Sequence, residues 1–218
     1  MNQLITTSDG SHTIYVPELD EHYHSVHGAI QESKHIFINC GFKFCKANPV
    51  KIFEIGFGTG LNALLTALEC SADKRIVDYT SVEKYPLTQD VTKLLNYKDF
   101  TGTDGDRLFN LIHSAHWEAT QEISPTFSIK KINADLTKAH FDGSYDLVYF
   151  DAFGPDKQPE MWNRDIFGMI SSLMAKNGIL VTYSAKGEVK RNLRANGFEV
   201  SFLPGPPGKR EIIRAIKI

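Results

Sequence analysis

The sequence predicts an α/β protein with a doubly wound, Rossmann-like sheet of seven strands and helices on both faces. A glycine-rich turn at residues 56–60 follows the first apolar strand and leads directly into a helix. Residues Tyr145–Phe150 form a continuous apolar run, as expected for a central parallel strand. The chain closes with a strand, a helix, a strand, a long loop and a strand over residues 179–218. We divide it into an N-terminal hairpin and helix extension, residues 1–45, and a sheet domain, residues 46–218.

The glycine turn predicts a ligand cradle at the carboxyl end of the first strand. Gly56, Gly58 and Gly60 let the backbone turn sharply and let a ligand approach where a Cβ atom would collide. The helix that follows, Leu61–Glu69, presents free N–H groups and the positive end of its dipole to the turn. A dinucleotide fold would place its third glycine one residue later. The alternative is a tight turn that binds nothing.

Length and composition indicate a single domain with a small appendage. At 218 residues the chain can bury a sizeable core. No apolar run approaches the roughly 20 residues of a membrane span, and the N-terminus carries no basic segment followed by an apolar one. The three cysteines fit no metal-ligand spacing, which indicates reduced side chains. We therefore expect a cytoplasmic protein without membrane contacts.

Charge is distributed unevenly along the chain. The net charge is −2, but from Lys186 onward there are eight Lys or Arg residues and three Asp or Glu residues. This end therefore carries +5 and the remainder −7. A basic end on an acidic body is compatible with local contact to nucleic acid. The alternative is that these charges lie on solvated faces of one helix and one strand.

The N-terminal extension predicts a hairpin followed by a helix. Leu4–Thr7 and His12–Val16 alternate apolar and polar residues around an Asp-Gly pair, which is typical of a hairpin. A helix is expected from Gly28 to about Phe42.

A histidine-rich loop separates that hairpin from the helix. His22, His24 and His27 invite a zinc interpretation, but no cysteine or carboxylate completes the set at a familiar ligand spacing. We expect a polar loop at the mouth of a cleft, and no metal.

Acidic residues follow two of the predicted strands. Glu83 ends the strand Ile76–Val82, where a doubly wound sheet places the carboxylate that binds ribose hydroxyls. Asp151 follows Tyr145–Phe150, and the ends of strands beside the topological switch point are where ligands meet. Asp151 is thus the leading catalytic or substrate-holding candidate. The alternatives are a solvated strand-end carboxylate at Glu83 and a loop cap at Asp151.

The intervening segments predict further elements. Pro86 is expected to open a helix, and Asp99–Ser124 is a polar, partly helical excursion expected to form a wall over the site. Phe127–Ile132 is the third strand. After Asp151 we expect a helix to Met174 that stops at an Asn-Gly pair, residues 177–178.

Four stretches together resemble one family: residues 56–62, 83–87, 151–162 and 205–211. The pattern E-x-G-x-G-x-G from Glu54 resembles motif I of class I S-adenosylmethionine (SAM) methyltransferases. The stretch from Asp151 to Trp162 is the most specific of the four. Together they resemble the methyltransferase that completes 5-methylaminomethyl-2-thiouridine at the wobble position of bacterial tRNA. The similarity runs from about Tyr23 to the C-terminus.

The resemblance implies the reaction and the cofactor. SAM would donate a methyl group to the primary amine of 5-aminomethyl-2-thiouridine in tRNA, with Asp151 as the catalytic residue that orients the amine or also receives its proton. Asp135 would receive the adenine amino group, although it also looks like a simple helix cap. The residues implied to bind the cofactor are Glu54, Gly56, Gly58, Gly60, Asn62, Glu83 and Asp135.

Substrate contacts are also expected from aromatic and basic residues. Aromatic side chains stack on unpaired bases, and cations contact phosphates. For each aromatic the alternative is ordinary packing. The implied substrate-binding residues are Tyr23, Phe153, Lys157, Trp162, Lys186, Lys209 and Arg210. No FAD-binding half is present in the sequence, so the resemblance implies the stand-alone form, with a separate oxidoreductase as a partner.

Two other functions remain open from the sequence. Aminopropyltransferases of the spermidine-synthase type share the N-terminal β segment, the glycine turn and the aspartate after the fourth strand. The Pro-x-Met-Trp stretch ending at Trp162 and the basic C-terminal end argue against that chemistry. A non-catalytic module that binds SAM or RNA is the second alternative, and the intact set of Glu83, Asp135 and Asp151 argues against it.

Overall fold

A small N-terminal sheet precedes the main one. In the computed structural model, which describes residues 2–218, strands β1 (Gln3–Thr6), β2 (His12–Val16) and β3 (Glu21–His22) form an antiparallel sheet in that order. The predicted hairpin is confirmed, with Leu4 opposite Ile14. The two-residue strand β3 was not predicted, because it is too short to show a periodic pattern.

The centre of the protein is an eight-stranded sheet. Its strands are β4 (Val50–Ile55), β5 (Val77–Glu83), β6 (Thr120–Ser124), β7 (Phe127–Asn133), β8 (Tyr145–Phe150), β9 (Met174–Thr182), β10 (Phe198–Pro204) and β11 (Glu211–Lys217). Their order is β10-β11-β9-β8-β4-β5-β7-β6. Strands β9, β8, β4, β5 and β7 are parallel, and β6, β10 and β11 join antiparallel. The strand order reverses between β4 and β8, which is where ligands bind in doubly wound sheets.

Helices cover both faces of this sheet. They are α1 (Ala29–Ser33), which continues as a π-helix (Lys34–Phe42), α2 (Leu61–Asp73), α3 (Gln89–Thr92), α4 (Lys98–Ser114), a 3-10 helix (Pro159–Trp162), α5 (Arg164–Ser172) and α6 (Gly187–Ala195). Alternate residues of β4 enter separate cores: Ile52 packs with α1, α2 and α4, and Phe53 packs with α5 and α6. This two-sided burial explains why the central strands are continuously apolar.

The predicted α/β class and the doubly wound sheet are confirmed, with one strand more than expected. The eighth strand, β6, lies within the predicted excursion and, in residues 2–218, pairs only with β7. Its sequence, Thr-Gln-Glu-Ile-Ser, buries one residue of five, so it lacks the apolar signal of the other strands.

Two predicted helix boundaries are wrong. The helix expected to reach Met174 ends at Ser172, and β9 begins at Met174 instead. The pairing of β8 with β9 shifts between Tyr145 and Leu147, so residues 175–178 form an irregularity inside the strand, with Asn177 at φ 64°. Pro86 does not open a helix, since α3 begins only at Gln89.

Candidate active site

A cavity of about 950 Å³ lies at the carboxyl ends of β4, β5 and β8. It is bordered by the glycine turn after β4, the end of β5 and the loop after β8. The structure brings ten of the predicted site residues to its lining: Tyr23, Gly56, Gly58, Asn62, Glu83, Asp135, Asp151, Phe153, Lys157 and Lys209. Five others do not line it: Glu54, Gly60, Trp162, Lys186 and Arg210.

The glycine turn is held in a conformation that L side chains rarely adopt. Gly56, Gly58 and Gly60 have φ values of 89°, 49° and 74°. A Cβ atom at Gly56 would lie 2.7 Å from the Asp151 carbonyl oxygen, so the ends of β4 and β8 can approach only with glycine at this position. A Cβ atom at Gly58 would lie 2.9 Å from the Tyr23 ring. The turn therefore lets the end of β8 and the Tyr23 ring pack directly against its backbone.

The segment Asp99–Ser124 packs against the glycine turn. His113 on α4 has its Nε2 3.1 Å from the Thr59 carbonyl oxygen, and the buried Lys131 ammonium donates to the carbonyls of Ile112 and His113 at 2.8 and 3.0 Å. These bonds fix the end of α4 against the turn. The predicted wall over the site is wrong, because residues 99–124 contribute nothing to the described lining.

Glu83 is oriented by the backbone around it. Its Oε2 accepts a hydrogen bond from the Gly58 N–H at 3.1 Å, and its Oε1 accepts one from the Tyr85 N–H at 2.8 Å. Each carboxylate oxygen keeps lone pairs for further donors. The carboxylate is thus presented to the cavity in a fixed position beside the glycine turn.

Asp135 lies at the neighbouring edge of the cavity. Its carboxylate accepts hydrogen bonds from the Thr137 backbone and hydroxyl and pairs with Lys84 at 3.1 Å. The Thr137 hydroxyl and the Lys84 ammonium lower the pKa of Asp135 to about 2, so it is ionised under ordinary conditions. The helix-cap alternative is wrong, because the segment after Asp135 is a turn, in which its carboxylate accepts from Thr137.

Asp151 is the carboxyl group at the centre of the site. The Asn62 side-chain amide on α2 donates to its Oδ2 at 2.8 Å. Burial raises the pKa of Asp151 to about 7, with smaller effects from Asn62 and from the charges of Glu32 and Lys209. A carboxyl group with a pKa near neutrality can accept and release a proton at physiological pH.

The burial of Asp151 predicts a pH-dependent stability. Between the ordinary aspartate pKa of about 3.9 and the folded value, the folded state holds the proton more tightly than the unfolded state, so the free energy of unfolding falls as pH rises through this window. Asp151→Asn removes the effect. As the pH rises from about 5 to about 8, the free energy of unfolding of the variant relative to the parent should therefore increase by on the order of 1–2 kcal/mol. Urea unfolding at several pH values measures this change. A difference in unfolding free energy between the two proteins that does not change with pH would contradict a raised pKa at Asp151.

Two of the three predicted aromatic side chains meet in the cavity. The rings of Tyr23 and Phe153 are 5.0 Å apart at 70°, an edge-to-face pair that lines the wall. Trp162 is 3% exposed and packs against Phe150 and Phe167, so it cannot stack on a base. Its indole N–H donates to the Phe153 carbonyl at 2.8 Å, which fixes the loop that carries Phe153. The packing alternative therefore holds for Trp162.

Lys209 points into the cavity instead of outward to solvent. Its ammonium pairs with Glu32 at 2.7 Å and lies 5.1 Å from the centre of the Tyr183 ring. Its side chain is 27% exposed and that of Glu32 is 10% exposed. This ion pair ties the proline-rich loop between β10 and β11, residues 205–210, to α1. The two charges need each other, because a largely buried charge without a partner is costly.

Glu32 and Tyr183 have no counterpart among the predicted site residues. Both line the cavity, and the Tyr183 hydroxyl donates to the Ala152 carbonyl at 2.8 Å. Tyr183 follows β9, so the strand-end rule that found Asp151 would have found it. Glu32 shows no such signal, because a charged residue on a helix is ordinarily exposed.

The remaining predicted cations differ in exposure. Lys157 lines the cavity and its ammonium pairs with Asp20 at 3.3 Å. Lys186 pairs with Asp156 at the surface, and Arg210 is exposed beside Lys209. Lys186 and Arg210 therefore lie outside the cavity.

The three histidines all line the cavity, as expected for a polar loop at its mouth. His24 is buried, with its Nε2 2.6 Å from the Thr59 hydroxyl, and burial lowers its pKa to about 4. Within residues 2–218, no three His, Cys, Asp or Glu side chains are placed to hold a metal ion together. In the same residues, every helix is too short or too polar to cross a membrane.

Residues 109–218, half of the chain, match a family model described as S-adenosyl-L-methionine-dependent methyltransferase. The chain belongs to this family. The predicted class of SAM-dependent methyltransferase is thus confirmed, and SAM is the methyl donor of the family.

This methyltransferase is also similar to larger curated proteins. It is 29% identical over 224 residues to the tRNA 5-methylaminomethyl-2-thiouridine biosynthesis bifunctional protein MnmC of Cupriavidus metallidurans, covering 95% of this chain and 33% of that protein. The protein of the same name from Campylobacter hominis is 30% identical over 188 residues, covering 84% and 28%. The chain spans about a third of the length of these relatives.

Solved structures show the same architecture. MnmC2 from Aquifex aeolicus superposes with a TM-score of 0.79 at 27% identity, covering 99% of the methyltransferase and 69% of that chain. Spermidine synthase from Thermotoga maritima superposes with a TM-score of 0.55 at 12% identity, covering 100% and 71%. The second similarity concerns the fold alone.

Proposed function

We propose that this methyltransferase transfers a methyl group from SAM to the primary amine of 5-aminomethyl-2-thiouridine at the wobble position of tRNA, giving 5-methylaminomethyl-2-thiouridine. The observation that carries the proposal is the position of Asp151. This carboxyl group, with a pKa near neutrality, shares one cavity with the glycine turn and an aromatic wall. The relatives named for the biosynthesis of this nucleoside support the choice of substrate.

The residues of the cavity fit SAM. The glycine turn contributes Gly56 and Gly58 to the lining of the cavity, and Glu83 offers free lone pairs for two ribose hydroxyls. Asp135, ionised and at the edge of the cavity, is suited to accept from the adenine amino group. Bound there, SAM supplies an electrophilic methyl group. Glu54 and Gly60 shape the turn from outside the cavity and would not touch SAM.

The main task of the protein is to present a neutral amine. A free alkylamine is mostly protonated at pH 7, as lysine is with its ordinary pKa of about 10.4. The carboxylate of Asp151 can accept a hydrogen bond from the amine and then take up its proton, because its pKa is near 7. Asn62 holds the carboxylate in one orientation. Most of the rate enhancement should come from this positioning of the two reactants.

The aromatic wall provides a surface for the modified base. Tyr23 and Phe153 line the same cavity as the glycine turn and Asp151, so a uracil stacked on either ring would present its aminomethyl group toward Asp151. Tyr183 and Lys209 also line this cavity and would limit how the base enters. We propose on the same grounds that residues 1–45, which supply Tyr23 and Glu32, act as a substrate-covering extension of the domain formed by residues 46–218.

Contacts to the RNA backbone are expected from exposed cations near the cavity. Lys186→Ala/Arg210→Ala should weaken tRNA binding and flatten its salt dependence, because each lost phosphate contact lowers the log–log slope by about 0.7 for single-stranded RNA. Lys209→Met should leave the slope unchanged, since Lys209 is paired with Glu32 inside the cavity. Filter binding at several salt concentrations measures the slopes.

The control for this comparison is Lys51→Ala. Lys51 is exposed on β4, on the strand that ends at the glycine turn, but near its opposite end. If the double variant keeps the slope of the parent, the RNA surface lies elsewhere on the protein.

Substrate class can be separated in one assay. The enzyme is incubated with labelled SAM and undermodified tRNA, and in parallel with decarboxylated SAM and a small polyamine. Label in tRNA alone supports the proposal. Aminopropyl transfer would favour the spermidine-synthase type of chemistry, and binding of SAM without any transfer would favour a non-catalytic module. A tRNA substrate also implies a cytoplasmic enzyme.

A further inference from the structure

A second carboxyl group is buried directly beneath the site. Glu54, on β4, is 0% exposed and does not line the cavity. The Ser81 hydroxyl on β5 donates to its Oε2 at 2.6 Å. Within the described residues, its other oxygen, Oε1, has no hydrogen-bond partner. The motif resemblance implies that Glu54 binds the cofactor. Because Glu54 is fully buried, however, it is out of reach of any molecule in the cavity.

Two further unpartnered polar atoms surround this carboxyl group. The Asn62 Oδ1 atom and the Tyr79 hydroxyl are also buried and, within residues 2–218, unpartnered. Both side chains face Glu54. Buried polar atoms without partners are uncommon, and each requires an explanation. With Glu54 ionised, the Tyr79 O–H would be the single donor facing two opposed acceptors, Glu54 Oε1 and Asn62 Oδ1, and it could satisfy one of them at most.

The surroundings also disfavour a charge on Glu54. The titratable and charged groups that face it are Tyr79 on β5 and Tyr149 and Asp151 on or after β8. None of these groups is a cation, and Asp151 would repel a second negative charge. Burial raises the pKa of Glu54 to about 8. A neutral carboxylic acid has one O–H donor and therefore can satisfy one of the opposed acceptors.

We propose that Glu54 is kept as a neutral carboxylic acid whose O–H donates to Asn62 Oδ1, so that the Asn62 amide is held with its N–H toward Asp151. Glu54 is then a positioning residue, acting through Asn62 on the carboxyl group that handles the substrate proton. The Ser81 hydroxyl donates to Glu54 and the Asn62 amide donates to Asp151, and the proposed bond between Glu54 and Asn62 joins these two contacts. This inference rests on the proposed role of Asp151.

The test compares two substitutions. Glu54→Gln keeps both contacts, because its amide donates to Asn62 and its carbonyl accepts from Ser81. It should retain SAM affinity and turnover within about twofold and leave the pH–rate profile unchanged. Glu54→Ala leaves Asn62 unsatisfied and should lower turnover about tenfold, with a displaced acidic limb of the profile. If Glu54→Gln loses turnover or shifts the profile as much as Glu54→Ala, the inference is wrong.

A spectroscopic measurement is independent of activity. In an Asp151→Asn background, which removes the neighbouring carboxyl group whose pKa is also raised, infrared difference spectra at neutral pH should show a protonated carboxylic acid band that disappears in Glu54→Gln. Glu69→Gln, on the surface of α2, is the matched control and should not remove it. Absence of the band would overturn the inference even if Glu54→Ala fails to fold. Presence of the band without any methyl transfer to tRNA by the protein with Asp151 intact would instead contradict the proposed function.

Discussion

Asp151→Asn is expected to lower the rate of methyl transfer by about 10²–10⁴-fold, the range typical of losing a general acid or base. The amide is nearly the same size, and Asn62 can still donate to its oxygen, so the cavity should keep its shape. The variant cannot take up the proton of the amine, however. SAM affinity should change little, because Glu83 and the glycine turn provide the proposed cofactor contacts. Single-turnover kinetics and calorimetry measure the two quantities separately.

Asp156→Asn is the matched control for this experiment. Asp156 lies in the same loop after β8 but is exposed and pairs only with Lys186 in the part of the chain described. It should turn over like the parent. Near-normal methyl transfer by Asp151→Asn would reduce Asp151 to a structural cap of the loop, which is the alternative that its sequence position leaves open.

Gly58→Val is expected to reduce SAM affinity by about 10–100-fold, through backbone strain of about 1–3 kcal/mol and a side chain that enters the cavity. Gly58 has φ 49°, and even a Cβ atom would lie 2.9 Å from the Tyr23 ring. Its N–H also orients Glu83, so distortion of the turn should displace the carboxylate proposed to bind ribose. Titration calorimetry with SAM measures the loss.

Gly197→Val separates strain from contact. Gly197 has φ 79°, and a Cβ atom added to it would have no other atom within 4 Å, so it shares the strained conformation without touching the site. It should lower the free energy of unfolding and leave SAM affinity intact. A folded Gly58→Val protein with the parent affinity would contradict the assignment of the turn to the cofactor.

The predictable features are those fixed by local backbone chemistry. Alternating glycines after an apolar strand required the sharp turn at Gly56–Gly60, and the ends of parallel strands had to meet at one edge of the sheet. The rule that ligands bind at the switch point of a doubly wound sheet therefore predicts that Glu83 and Asp151 share one site.

The unpredicted features depend on contacts between distant segments. Lys209 was expected to reach phosphate because it lies in a basic, proline-rich loop, but the carboxylate of Glu32, 177 positions earlier, turns it inward. Trp162 was expected to stack on a base, yet α5 and β8 enclose it. The protonation of Glu54 depends on burial beneath Asn62, which no sequence spacing reveals. Such side-chain directions are set by packing and charge pairing, not by local propensity.

The central claim is that this cavity methylates the amine of 5-aminomethyl-2-thiouridine in tRNA. The most direct measurement is nucleoside mass spectrometry of undermodified tRNA after incubation with SAM and enzyme, with Asp151→Asn in parallel. We expect conversion of 5-aminomethyl-2-thiouridine to 5-methylaminomethyl-2-thiouridine by the parent protein and negligible conversion by the variant. Unchanged 5-aminomethyl-2-thiouridine with the folded, SAM-bound parent protein would contradict it.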